Sequence, residues 1–242
     1  MQRRPASTAL HSSRTPSLDA ADLDDFNAGE VLADGVRAWL SQLPAFAGIA
    51  FILHAPLMAV TLLPPLPGPL VVFLFLLGQL AVALLVKTAL VKAVLDAQRG
   101  LPADFTELID ALRRAPAALA VGVRIAAKAS VKLPLLVPGA MYLAETFAAV
   151  PAVIAEGGSS GKALARSRQL TEGVRLHVLA VCVLVWVLAI TLTVLSGVYR
   201  AESLTNTTWI LVYVCARALD TSLAAVLSAM CYHHLCERPE AA

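Results

Sequence analysis

The feature that most constrains this chain is a succession of apolar blocks, each long enough to cross a bilayer, separated by short polar stretches. A transmembrane helix needs about 20 predominantly apolar residues, because it rises about 1.5 Å per residue through roughly 30 Å of hydrocarbon. Six such blocks are legible, at residues 43–63, 70–90, 117–136, 139–155, 176–198 and 209–230. The helices of a soluble core would carry a polar face that interrupts such runs every few residues. Composition agrees, with 58% hydrophobic and 15% charged residues against about 45–50% and 25% in soluble domains. The expected fold is all-α, a polytopic membrane bundle of six transmembrane helices in three hairpins, with cytoplasmic amphipathic helices between them.

The text outside the blocks refines this. Residues 1–25 are rich in Ser, Thr, Pro, Arg and Asp and bury too little to offset their ordering entropy, so they read as a disordered tail. No apolar stretch follows Arg3 and Arg4, so the start does not read as a signal peptide. In residues 26–42, Phe26, Val31, Leu32, Gly35, Val36 and Trp39 recur at three- and four-residue spacing, with Glu30, Asp34 and Arg37 between them. That pattern predicts an amphipathic helix lying on the membrane surface, Trp39 at headgroup level. The proline-rich run at 64–69 ends the first block, residues 105–114 form a second amphipathic piece, and Pro138 with Gly139 forms a corner before the fourth block. Residues 239–242 are a short tail.

Lys and Arg set the orientation. Arg3, Arg4, Arg14, Arg37, Arg99, Arg113, Arg114, Lys162, Arg166, Arg168, Arg175 and Arg238 all fall on one side of the six-block arrangement, against Arg200 and nearby Lys132 on the other. Both termini are therefore expected in the cytoplasm. An amphipathic segment precedes each hairpin, from residues 26, 105 and 160, which reads as a threefold architectural repeat. The net charge of +2 gives no reason to expect a nucleic-acid partner. The partners implied are the bilayer and the anionic headgroups near the basic helices, with room for a membrane-protein partner. Ala, Leu and Val dominate the composition and Arg outnumbers Lys, which is compatible with a GC-rich bacterial source.

Ionisable residues inside the blocks are the candidate functional groups, since a charge at mid-bilayer costs about 2.5–3.5 kcal/mol on insertion scales. Arg124, Lys128 and Lys132 share one helical face. Glu145 lies at a similar depth in the next block, and the predicted pairing is Glu145 with Lys128 or Lys132. Arg217 and Asp220, three residues apart, can satisfy each other. His54 and Gln79 complete the set. These groups read either as structural links between helices with snorkelling basic chains or as a polar pathway for a small solute.

Catalytic signatures are absent from the sequence: there is no phosphate-binding loop, no His-Glu-x-x-His and no Gly-x-Ser-x-Gly. Gly157-Gly-Ser-Ser-Gly161 is better suited to ending one helix and letting Ser159 or Ser160 cap the next. Cys231, His233, His234 and Cys236 could supply metal ligands only with help from another segment. Neither metal nor cofactor is expected, and no enzyme activity.

The stretch 151–173 carries Pro151, Ile154, Glu156, Gly157, Ala163, Leu164, Arg166, Ser167, Leu170, Thr171 and Gly173 in an order that resembles the YciC-like family of bacterial membrane proteins. That family is related to the membrane domain accompanying some glycerophosphodiester phosphodiesterases. Pro138 with Gly139 and the helix end at Tyr232 and Leu235 are similar as well. The resemblance implies a six-span inner-membrane protein in which 151–173 is a cytoplasmic hinge. No phosphodiesterase domain is expected, because only four residues follow Arg238. On physical grounds Ser160 is expected to cap the hinge helix, and Arg166 and Arg168 to reach phosphates or Glu156. Glu145 and the Arg124, Lys128, Lys132 stripe depart from the family's apolar text. The function expected is a non-enzymatic structural, assembly or lipid-associated role; the alternative is a carrier or channel using the intramembrane polar groups.

Overall fold

The computed structural model describes residues 26–59, 68–98, 113–132, 136–202 and 206–238. All regular structure among them is helical: α1 (Ala28–Ser41), α2 (Leu43–Ala59), α3 (Pro69–Gln98), α4 (Ala115–Lys132), α5 (Leu136–Thr146), α6 (Ala149–Glu156), α7 (Ser160–Leu170), α8 (Arg175–Glu202) and α9 (Asn206–Cys236). The expected tails at 1–25 and 239–242, most of the proline run at 64–69 and nearly all of the second amphipathic piece lie outside the described residues.

Helix α1 starts where Asn27 accepts a hydrogen bond from the Gly29 amide at 2.9 Å, satisfying one of the orphan donors of the first turn. Its axis bends by 80° into α2. Val31 and Gly35 are its buried positions. Gly35 lets α1 lie close on α9, for a Cβ there would stand 2.6 Å from Leu227 Cδ2. Trp39 Nε1 donates to Ser222 Oγ at 2.9 Å. The indole expected among headgroups is thus tied to the last helix.

Helix α9 is the axis of the bundle, packed against α1, α2, α3 and α8. Burial changes along its length. Leu211, Val212 and Leu219 are exposed, whereas Val226, Leu227, Cys231 and Leu235 are fully buried. The same gradient runs through α3, from exposed Leu70, Phe73 and Leu74 to buried Val86, Leu90 and Val94. One end of the bundle is therefore thin and apolar outside. The other end is thick, because α1, α4, α5, α6 and α7 are added there.

Buried hydroxyls in this core mostly close on their own helix, as Thr88 Oγ1 does on the Leu84 carbonyl at 2.7 Å and Thr221 Oγ1 on that of Arg217 at 2.7 Å. This back-bonding satisfies a polar group without an interhelical partner.

Three helices among the described residues are long and apolar enough to cross a membrane, Val137–Glu156, Arg175–Leu192 and Thr208–Cys236, or four if the bent α1–α2 pair counts as one. Within the first of these, the structure departs from the predicted blocks. Pro138 and Gly139 do not form a corner. They lie in the first turn of α5, where proline's missing N–H leaves no intrahelical bond unmade. The break comes later, at residues 147–148, between α5 and α6.

Candidate functional site

Two clusters follow from the way α6 and α7 fold. Helix α6 ends at Gly157, whose φ of +74° is a conformation that glycine adopts without a Cβ penalty. The chain then reverses. Ser159, not Ser160, caps α7 by accepting from the Lys162 amide at 3.5 Å. Helix α7 runs back beside α6 until Ser167 Oγ donates to the Glu145 carbonyl at 2.7 Å. Thr171, fully buried, closes on the Ser167 carbonyl at 3.0 Å. Gly173, at φ +81°, turns the chain into α8.

The first cluster is a latch at the open end of this reversal. Glu156 Oε1 accepts from Arg166 Nε at 3.0 Å and from the Tyr232 hydroxyl at 2.9 Å. The expected Glu156–Arg166 pair is present, and the structure adds Tyr232 from the end of α9. The Arg166 guanidinium is held above its ordinary pKa chiefly by the hydrogen bond to Glu156. Arg114 donates to the Ile154 carbonyl, and Arg238 to those of Leu170 and Glu172 at 3.4 and 3.2 Å. The last carbonyls of two helices thus receive guanidinium donors.

The second cluster surrounds Glu145 and corrects the sequence reading. Glu145 does not pair with Lys128 or Lys132. Its carboxylate meets Arg175 at 3.1 Å and Arg168 at 3.6 Å. The reason lies in the reversal: α7 returns its last turn to the level of Glu145, and α8 begins there. Lys132 instead places Nζ 4.6 Å from the centre of the Tyr142 ring, with the Arg168 guanidinium 5.9 Å from the same ring. Lys128 and Arg124 are exposed on α4, and Arg124 lies beside Gly161 at the start of α7. The Tyr142 side chain is almost wholly buried, at 1% exposure, and its hydroxyl has no hydrogen-bond partner within the protein; neither has Arg175 Nε. The junction therefore holds three cations, one carboxylate and two buried donors without acceptors.

The remaining predicted residues lie apart. Arg217 and Asp220 form the expected pair at 2.9 Å, Asp220 almost fully buried. His54, fully buried, places Nδ1 2.7 Å from the Ala50 carbonyl on its own helix, within electrostatic reach of Arg217. Its Nε2 and both amide atoms of Gln79 have no partner. At the far end of α9, His233 meets Glu237 at 3.4 Å and His234 meets Asp34 at 3.6 Å, bordering a groove between α1, α3 and α9. Among the described residues no group of three or more His, Cys, Asp or Glu is placed to hold a metal.

Protein-family models, curated proteins and solved structures give no match to this chain.

Sequence reasoning missed Tyr142, Tyr232, Arg114 and the part-buried Lys92–Asp96 pair on α3 as participants. The i,i+4 spacing of Lys92 and Asp96 was the available signal. Nothing local marks Tyr142, whose role arises from the return of α7.

Proposed function

We propose that this chain is an integral protein of a bacterial inner membrane, without catalytic activity, working in a structural or assembly role in association with lipid. The observation that carries the reading is where the exposed large apolar side chains fall. They occupy α2, the first half of α3, α4 at Val123 and Val131, the start of α5, α8 and the first half of α9, with Val36 and Leu40 on α1; among the described residues none lies between 138 and 175. Hydrocarbon covers such a belt, so α6 and α7 sit outside it and Glu145, Arg168 and Arg175 mark its rim. Helix α5, with 11 residues, is about half the length a crossing needs. In place of six crossings, this arrangement has α2, α3, α8 and α9 crossing fully while only the facing ends of α4 and α5 dip in at the rim and return. The number of full crossings stays even, and both termini are cytoplasmic, as the basic residues require.

The charged groups support a packed rather than a conducting interior. Arg217 with Asp220, Lys92 with Asp96, and Glu145 with Arg168 and Arg175 are local pairs, not a connected route. The resemblance of 151–173 to the YciC-like family favours the same membrane and the same absence of chemistry. A carrier reading has one observation in its favour, the unpartnered polar atoms of His54 and Gln79 in the crossing region.

Protein purified in a phospholipid-free detergent is expected to lose thermal stability that bulk phospholipid restores, and proteoliposomes are expected to show no solute uptake. Uptake that disappears in a His54→Ala variant would overturn the proposal in favour of the carrier.

A further inference from the structure

We infer that the junction of Lys132, Tyr142, Arg168 and Arg175 is a binding site for a phosphate group, supplied by the headgroup of an anionic phospholipid or by free phosphate. The inference rests on the membrane arrangement proposed above, which puts this junction at the rim of the apolar belt.

Charge is the first argument. Three side chains, Lys132, Arg168 and Arg175, bring positive charge to the surroundings of Tyr142 and Glu145, and the two arginines meet the Glu145 carboxylate. Glu145 engages both guanidiniums, at 3.1 and 3.6 Å, and so fixes their positions while neutralising one of the charges. The remaining positive charge faces outward through Lys132 and Arg168, which are exposed. A solvated surface cluster would keep such cations apart; here they converge on one aromatic ring.

Hydrogen-bonding capacity is the second. A buried donor without an acceptor is costly, and buried polar groups are almost always satisfied. The Tyr142 hydroxyl and Arg175 Nε are both buried donors without an acceptor in the protein. They sit in the same junction, since the Tyr142 hydroxyl is under the electrostatic influence of Arg168 and Glu145 and Glu145 holds Arg175. An excess of donors and of positive charge is the complement of a tetrahedral oxyanion, whose oxygens accept only. A metal ion is the wrong sign, and an apolar ligand would leave the donors bare.

Placement is the third. Val131 and Val137, both strongly exposed, flank the short connection between α4 and α5, and Leu176 is exposed next to Arg175. Apolar surface thus adjoins the donor cluster on one side, as an acyl chain attached to a bound headgroup requires, and basic groups near a cytoplasmic rim attract anionic lipid.

The test measures binding of lipid by native mass spectrometry and by thermal shift on the full-length protein in a mild detergent. The probes are phosphatidylglycerol, phosphatidylcholine, diacylglycerol and inorganic phosphate. Wild-type protein is expected to retain phosphatidylglycerol in preference to the other two lipids, with a rise in melting temperature. Replacing Lys132→Gln and Arg168→Gln together is expected to weaken that affinity roughly tenfold or more, and Tyr142→Phe to weaken it with little change in the fold. Arg168→Lys, which keeps the charge, is expected to rescue part of the loss, and Arg37→Gln, on exposed α1, to change nothing. A comparable shift from inorganic phosphate, lost in the same variants, assigns the site to soluble phosphate. Equal phosphatidylglycerol binding by wild type and the double variant overturns the inference. That result leaves the membrane proposal standing if bulk phospholipid still restores stability, so the two failures are distinguishable.

Discussion

The Glu145 carboxylate and the Arg175 guanidinium meet at 3.1 Å where α5 ends and α8 begins. This contact ties the level of the fourth apolar block to the level at which the fifth starts. Were residues 137–156 to cross the membrane as one helix, Glu145 would be near its middle, and Arg168 and Arg175 would be drawn there with it. Placing this ion cluster at the rim avoids the several kcal/mol that each buried charge costs.

Glu145→Gln is therefore expected to lower stability by about 1–2 kcal/mol, a figure reduced for the partial exposure of both arginines. In a double-mutant cycle read by thermal unfolding, the coupling should appear with Arg175. Coupling with Lys128 instead would restore the pairing expected from the sequence.

A cysteine-accessibility experiment separates four full crossings from six. With six, residue 137 stands at the outer surface, and Val137→Cys reacts with a membrane-impermeant maleimide from outside. The re-entrant hairpin predicts protection from both sides, with Lys162→Cys reacting only from the cytoplasm.

The latch gives a local prediction. Tyr232→Phe removes one of the two bonds to Glu156 and is expected to cost about 1 kcal/mol. Proteolysis at residues 157–159 should become faster, while global secondary structure by circular dichroism is unchanged. Glu156→Gln should do the same and also release Arg166.

Gly35 and Leu227 test the docking of α1 on α9. A Cβ at residue 35 would lie 2.6 Å from Leu227 Cδ2, and Leu227 is fully buried with little room to move. Gly35→Val is expected to destabilise by about 1–3 kcal/mol through overpacking. Leu227→Ala should suppress part of that loss in the double variant, measured by melting temperature.

The pair inside α9 behaves differently from an exposed bridge. Asp220→Asn leaves the part-buried Arg217 without its counter-charge and is expected to cost about 3 kcal/mol, whereas Arg217→Met with Asp220→Leu should be close to neutral. Stability equal to wild type in the single variant would show that Arg217 reaches another partner.

What the sequence determined by itself is what depends on near neighbours along the chain. Apolar blocks specify helices whose positions match the predicted ones closely at α8 and α9, the bend after α1 follows from the amphipathic-to-apolar switch at residue 42, and Arg217 finds Asp220 because three residues bring them to one side of a helix. Glu156 and Arg166 meet because a glycine turn between two short helices leaves few alternatives. The tertiary structure alone decided which apolar faces are covered by protein. An apolar run reads the same whether it faces lipid or protein, so the sequence did not show that α6, within residues 139–155, is buried against other helices. The partner of Glu145 depended on how far α7 returns along α6, a distance set by packing among α4, α6 and α7. Local spacing cannot carry that information, because it arises only when separate helices share one core.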